Sequence, residues 1–449
     1  MEFLNRFFHI KESGSNLKTE TLGGLTTFFT LSYIFFVQPV ILSSCGMDIG
    51  SVMVATCLSS ALASFMMGIY ANYPIALAPA MGHNFFFAIT VCGTAAMGGL
   101  GYSWQTALGA VFIAGSIFLI LSFWGLRERV MNALPDSLKN GIAVGIGLLI
   151  TMLGLQWSGI VVDKPGILVG LGNLKSTPVL VSLFGIIFTA VLLSWKVRGA
   201  ILIGIIVTSI IGIPFNIFTY NGILGSPPSI KPTFFKLDIL HVFSNPDFLT
   251  VIFLFLFLDM FDTIGTLVGL SQQAGLMKNG KLPGARKALF SDAFGTVSGA
   301  LLGTSTVTSY IESSAGITEG AKTGFANIVT GIMMLLTLFL YPFIEMIGGG
   351  YEISEGVKLY PSIAPTLIIV GSFMAKNIVN INWNDTTEAI PAFLSIIIMP
   401  MTLVITEGIS FGIISYAVLK FLSGRAREVH PIMYILAVLF ILKYIFISS

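Results

Sequence analysis

The chain has 449 residues, of which 55% are hydrophobic and only 10% charged, with a mean hydropathy of +0.91. A soluble domain carries about a quarter charged residues, so a soluble enzyme is excluded, and a net charge of +2 leaves no polybasic footprint for a nucleic acid. The three cysteines, Cys45, Cys57 and Cys92, lie in or beside apolar runs without metal-ligand spacing, so neither a disulfide framework nor a zinc site is expected.

Residues 1–20 are polar and precede an apolar run of full spanning length, which argues against a cleavable leader. A bilayer crossing needs about 20 mostly apolar residues. Apolar runs bounded by Gly, Pro and charged residues place segments at 22–44, 51–70, 75–95, 104–124, 138–156, 178–195 and 199–218. After the polar, proline-containing stretch 221–246, a second set follows at 248–270, 288–303, 305–320, 324–345, 361–376, 389–406 and 408–423. The expected fold is an all-α polytopic membrane protein. Its fourteen transmembrane segments form two inverted repeats of seven, because an odd number in the first half starts the second from the opposite side.

Charge placement agrees with a cytoplasmic amino terminus. Sixteen Lys and Arg residues, among them Arg127, Arg129, Lys278 and Lys281, fall on the stretches then assigned to the cytoplasm, against five on the external ones. The tail from Ile432 to Ile447 has about sixteen apolar residues, at the lower limit for crossing, and contains Lys443. It reads as an interfacial helix.

Two segments are interrupted at matching positions. The third of the first half contains Pro79 and Gly82, which oppose a continuous helix. The third of the second half, Gly303 to Gly316, is rich in hydroxyls and β-branched residues that favour extended chain. Short strands and half-helices are therefore expected in segments 3 and 10. Non-helical backbone at membrane depth is tolerated when it is buried or lines a cavity, so the pair marks a midplane binding site with half-helix amino termini aimed at a ligand.

In the eighth segment Asp259, Asp262, Thr263 and Thr266 have helical offsets that put one polar stripe on an otherwise apolar helix. Glu312 adds a third intramembrane acid, and no Lys or Arg lies near the middle of any span. Intramembrane acids are functional by default. A carboxylate pair without a fixed cation suits proton coupling, since its proton count can follow ligand occupancy. It repels phosphate or sulfate and complements a neutral planar heterocycle offering N–H donors. Phe85, Phe86, Phe87, Phe257, Phe261 and Tyr310 are candidates for aromatic walls. His83 is a further titratable candidate, whereas Asp292, Glu319, Glu345 and Glu407 fit capping or solvated roles as well.

At these residues the chain resembles the nucleobase:cation symporter-2 superfamily, in its AzgA-like hypoxanthine, guanine and adenine permease branch. The likeness rests on Gly23 to Ile34 with Pro39, on Ala78-Pro79-Ala80-Met81-Gly82 with Asn84, on Asp259 to Thr266, and on Thr308 to Gly316. It implies a core domain at 20–125 and 247–346 and a gate domain at 126–220 and 347–424. These lie between a cytoplasmic amino terminus at 1–19, an external linker at 221–246 and an apolar tail at 425–449. It also implies elevator-like movement of core against gate, a plasma-membrane location and a homodimer. Substrate binding would fall to Asp259, Glu312, Asn84, Phe85, Ser313 and Ser314, with Asp262, Glu312, His83 and Thr263 in coupling or support. Ala80, His83, Phe85 and Gln38 depart from the branch pattern, the first three beside the site.

The expected function is a secondary active symporter importing a purine nucleobase with protons, with no cofactor and no nucleic-acid partner. The alternatives are a same-fold permease for xanthine, uracil or another solute and, from other classes, a channel or an intramembrane enzyme. The latter lacks an evident nucleophile and base set, since His9, His241 and His430 fall outside the expected spans.

Overall fold

The computed structural model describes residues 2–94, 99–124, 134–164, 166–244, 247–276, 282–354 and 357–446. Arg127, Arg129, Lys278, Lys281, the expected domain boundary at 126, the side chain of Phe261 and the last residues of the tail lie outside that description.

The first half comprises α1 (Glu2–Phe7), α2 (Leu17–Leu31), α3 (Ile34–Ser43), α4 (Ile49–Met66), β1 (Leu77–Pro79), α5 (Met81–Phe85), α6 (Trp104–Trp124), α7 (Asp136–Trp157), the hairpin β2 (Val161–Lys164) and β3 (Ile167–Leu171), α8 (Thr177–Ser194) and α9 (Ala200–Gly212). The second half comprises α10 (Ile239–Ser244), α11 (Asp247–Gln273), α12 (Ala285–Leu302), β4 (Val307–Ser309), α13 (Ser313–Thr318), α14 (Phe325–Leu336), α15 (Tyr341–Gly348), the hairpin β5 (Tyr351–Ser354) and β6 (Val357–Leu359), α16 (Ala364–Ala375), α17 (Thr386–Thr402), α18 (Ile405–Leu422) and α19 (Pro431–Phe446). Among the described residues seven helical stretches are long and apolar enough to cross a membrane, and four shorter apolar helices accompany them. The expected third and tenth segments are each a short strand followed by a short helix.

Side-chain size decides how closely the helices approach. α12 buries Ser291, Ala293, Gly295, Thr296, Gly299 and Ala300, which lets α4 and α6 lie against it. Around β1 and β4, helices α2, α3, α4, α6, α11, α12, α13 and α14 pack on one another, while α7, α8, α9, α16, α17, α18 and α19 form a second packed group. Between the groups, Phe85 meets Trp157 edge to face with ring centroids 6.4 Å apart, and Trp157 packs on Tyr360 at 4.7 Å. Arg198 pairs with Glu319 at 2.5 Å.

The breaks in the helices are closed by side chains. The Glu20 carboxylate, fully buried, accepts the Lys322 and Thr323 amides at 2.9 and 3.2 Å. Asn72 Oδ1 accepts the Gly324 amide, and Asn327 Nδ2 donates to the Tyr73 and Ile75 carbonyls. Each bond satisfies a peptide group that no helix could reach.

The tail helix α19 runs antiparallel to α18. Tyr434 meets Phe421 at one end, and at the other Tyr444 meets Phe411 and donates to Glu407. The tail helix is thus laid along the apolar helix α18, with Met433, Leu436, Ala437 and Phe440 buried, and not flat across the helix ends as an interfacial helix would lie.

At the turn between α18 and α19 sits a charge cluster. Lys420, 1% exposed, lies 2.8 Å from Glu428, 3.6 Å from Asp385 and 3.7 Å from Glu388, and Arg425 bonds both Asp385 and Glu428 at 2.7 Å. Hydrogen bonds from Thr387 and Arg425 hold the Asp385 carboxyl below its usual range, and those from Arg425 and Lys420 hold Glu428 down to about 2. A buried ammonium stripped of its carboxylates is strongly destabilising. Lys420→Ala is expected to lower the thermal unfolding midpoint of the purified protein by several degrees, and Glu428→Gln, at a half-exposed position, by less. Because both carboxyls titrate lower when folded, their contribution is complete at neutral pH. It should fade as pH falls from the ordinary Glu value of 4.5 toward about 2, which an acid-unfolding series will show.

Candidate substrate-binding site

The site is built on the pairing of the two broken segments. β1 and β4 are antiparallel, with Leu77 opposite Ser309, Ala78 opposite Thr308 and Pro79 opposite Val307. The ladder extends one bond at each end, from the Ala80 amide to the Thr306 carbonyl and from the Tyr310 amide to the Ala76 carbonyl, both 2.9 Å. Pro79 has no amide to donate, and its carbonyl accepts from Tyr310 Oη at 2.5 Å. Flanking hydroxyls complete the backbone. Ser313 Oγ accepts the Ala76 amide, Ser64 Oγ accepts the Leu77 amide, and Thr296 Oγ1 donates to the Val307 carbonyl.

Two close approaches fix where the strands begin and end. Gly303, which closes α12, has φ +103°, and a Cβ there would fall 2.2 Å from Thr233 Cβ of the linker. A Cβ on Gly316 of α13 would lie 2.4 Å from the Gly23 carbonyl oxygen of α2.

The acids of α11 part company across the stripe. Asp259 is 1% exposed and Thr263 fully buried, whereas Asp262 is exposed. Thr263 Oγ1 donates to Asp292 Oδ1 at 2.8 Å and lies 2.6 Å from Thr308 Oγ1, so with its single proton committed to Asp292 it accepts from Thr308. This relay ties α11 to α12 and to β4, which gives Thr263 and Asp292 a positioning role. Glu312, half-buried, comes three residues after β4, and Tyr33 Oη donates to its Oε1 at 2.6 Å. Asp262 lies within electrostatic reach of Glu312 and Asp292, and Tyr33 and Tyr310 flank the same acids. Among the described residues neither Asp262 nor Glu312 has an ion-pair partner.

On the other side of the crossing, Asn84 Oδ1 accepts from Ser305 Oγ, which itself receives Gln38 Nε2 at 3.2 Å, while the same amide donates to Thr304 Oγ1 at 2.9 Å. Gln38, longer than the Asn of the branch pattern, spans from α3 to both hydroxyls. α5 passes into one wide turn over Phe86–Val91, so segment 3 ends as a short helix loosened by a π-type turn. Phe86 and Phe87 are fully buried, Phe86 against Phe255 at 4.8 Å, and act as packing residues. Phe85 faces Trp157 of the second group. Ser313 is spent on the strand backbone, and the Ser314 carbonyl accepts from Gln273 Nε2.

The structure therefore brings Thr263, Asn84 and Glu312 to one crossing, with Asp262 within electrostatic reach of Glu312, Asp259 one turn before Thr263 on α11, and His83 and Phe85 on α5 directly after β1, Phe85 turned to Trp157. Sequence reasoning gave no site role to Tyr33, Ser64, Gln38 or Ser305. Of the weaker candidates, Glu319 pairs with Arg198, Glu345 accepts from Tyr341, and Glu407 accepts from Tyr444, all away from the crossing.

Two broken segments paired with each other, with acids at the pairing and two packed groups of apolar helices around it, are the construction of a membrane transporter. The transmembrane domain of a cyanobacterium bicarbonate transporter, BicA, has the same fold, with a TM-score of 0.62 over 88% of this chain and 97% of that one at 16% identity. A family model for xanthine and uracil permeases, described as Permease family, matches residues 18–411, and the chain belongs to that family. The guanine/hypoxanthine permease PbuG of Bacillus subtilis is 44% identical over 99% of this chain and 100% of its own length. The adenine permease AdeP of Escherichia coli is 41% identical over 99% of this chain and 97% of its own. Family and relatives are transporters, not enzymes.

Two substitutions test the construction of the site. Thr263→Val removes a donor from the buried Asp292 and is expected to cost about 1–3 kcal/mol of stability. Gly316→Ala forces a methyl group into the α2 backbone, with an overpacking cost of about 1–3 kcal/mol. Both should lower the unfolding midpoint of the purified protein, whereas Ser314→Ala, which leaves its carbonyl in place, should not.

Proposed function

We propose that the chain is a proton-coupled importer of purine nucleobases in the plasma membrane, with its amino terminus in the cytoplasm and the base held at the β1–β4 crossing. The observation that carries this reading is the carboxylate set at the crossing, Asp259 and Glu312, in a chain whose full-length relatives include guanine/hypoxanthine and adenine permeases. Ionised carboxylates accept and do not donate, so they suit the ring N–H and amino groups of a base. Tyr33 holds Glu312 in one orientation for that contact, and Asn84 offers an amide from the opposite side.

Coupling is assigned to Glu312 together with Asp262. Asp262 lies within electrostatic reach of Glu312, with no ion-pair partner for either among the described residues, and two such acids exchange a proton as the donors of a ligand come and go. Proton release and base release are then linked at one place, and no cofactor is required. Alternating access is assigned to an elevator-like displacement of the group that contains β1 and β4 against the group that contains α7 and α16. The Phe85–Trp157 contact and the Arg198–Glu319 pair would then be remade at each cycle. The bias of Lys and Arg residues supports the cytoplasmic amino terminus, and the apolar outer face of the second group is where a homodimer would form.

The test is uptake of labelled hypoxanthine, guanine and adenine by cells lacking their own purine permeases. Saturable uptake that collapses with a protonophore and falls at least about tenfold in Asp259→Asn and Glu312→Gln is expected, the loss of a charge-assisted hydrogen bond. Tyr33→Phe should raise the KM about fivefold or more while expression is unchanged, since it removes an orienting bond. Absence of uptake from a variant-free protein shown to reach the membrane, or uptake competed by uracil and by no purine, would overturn the purine assignment.

A further inference from the structure

His83 is the third residue of α5 and is 2% exposed, yet neither Nδ1 nor Nε2 makes a hydrogen bond among the described residues. A neutral imidazole carries one donor and one acceptor. Burying both without partners is unfavourable, and an apolar side chain of similar size would leave nothing unsatisfied. The neighbouring groups repeat the pattern. Asn84 Nδ2, Thr306 Oγ1 and Ser309 Oγ are each 3% exposed or less and likewise unpartnered among the described residues. All four residues belong to one crossing, for Thr306 receives the Ala80 amide at the start of α5 and Ser309 is the register partner of Leu77. Buried polar atoms are almost always bonded, so four together mark the place where a polar ligand completes the structure.

We propose that His83 hydrogen-bonds the transported heterocycle directly and determines specificity by reading its exocyclic substituent, an inference that rests on the nucleobase reading. The carboxylates engage the N–H donors of a base and leave its acceptors unread. Asn84 Nδ2, a fixed donor, suits a ring nitrogen. His83 can exchange tautomers, donating to an exocyclic oxygen or accepting from an exocyclic amine, so one residue serves oxo- and aminopurines alike. A purine with hydrogen at that carbon gives the imidazole nothing to bind.

The experiment measures binding of hypoxanthine, adenine and unsubstituted purine to the purified full-length protein in nanodiscs, by calorimetry and by thermal shift. His83→Leu should weaken hypoxanthine and adenine by about tenfold each and leave unsubstituted purine unchanged, while its unliganded unfolding midpoint stays level or rises. His83→Gln, which keeps a donor and an acceptor, should restore most of the lost affinity. His83→Met provides the same apolar comparison should the leucine variant not fold. Equal weakening of all three ligands, or no weakening of any, would overturn the direct contact while leaving the nucleobase reading intact. Failure of the wild-type protein to bind any of the three would overturn the nucleobase reading and the inference with it.

Discussion

The peptide groups of a broken helix have no water to turn to at membrane depth, and the structure is organised around meeting that demand. Two segments break, and each supplies what the other lacks. Ala76 to Ala80 and Thr306 to Tyr310 exchange backbone bonds, and Ser64, Ser313, Thr296, Tyr310 and Asn327 take up what the short ladder leaves over. Because the pairing is antiparallel, the two broken segments run past each other in opposite directions. The functional side chains then follow from chain continuity. Glu312 comes three residues after β4, and Asn84 comes five after Pro79, so neither can move independently of the crossing.

Close packing preserves that arrangement. Glycine, serine and alanine on α4, α12 and α13 let helices approach until backbone meets backbone, and small residues are where lipid-soluble helices find their attraction. The second group packs the same way, Gly147 against the Gly371 backbone and Gly141 and Gly145 against the backbone of α17, and is held in addition by the Lys420 cluster at one end of α18 and by α19 laid along its length. One group is built around the paired broken segments, and the other around α7, α16, α17 and α18 with a charge clamp at one end. They meet through a few contacts such as Phe85 on Trp157.

Much of this was legible in the sequence for physical reasons. Pro79 and Gly82 exclude a continuous helix, the β-branched run before Glu312 favours a strand, and the helical offsets of Asp259, Thr263 and Thr266 announce a polar face. What was not legible depends on distance along the chain. Tyr33 is separated from Glu312 by 279 residues and is one of twelve tyrosines, so nothing local marks it as the donor. Glu20, Asn72 and Asn327 look like ordinary polar residues near helix ends until the breaks they close are seen together. The hairpins β2–β3 and β5–β6 lie between the apolar segments, where Val161-Val162 and Ile167-Leu168-Val169 on either side of Pro-Gly, and the alternation from Tyr351 to Tyr360, carry a strand and turn signal that segment hydropathy does not weigh. Nor does it weigh Tyr434 and Tyr444, which set the path of α19 along α18. The departures at 80, 83 and 85 were legible as departures, and the structure gives two of them a setting: Phe85 at the contact between the groups and His83 among the unpartnered groups of the crossing.

The central claim is that the crossing itself is the binding site. It is tested most directly by determining the structure of the full-length protein in lipid nanodiscs with guanine bound. The account predicts the base beside β4, within hydrogen-bond distance of Glu312 and Asp259, with the Ala80 to Thr306 and Tyr310 to Ala76 backbone bonds retained. A base bound elsewhere, or a crossing whose strands separate to admit it, would contradict the account.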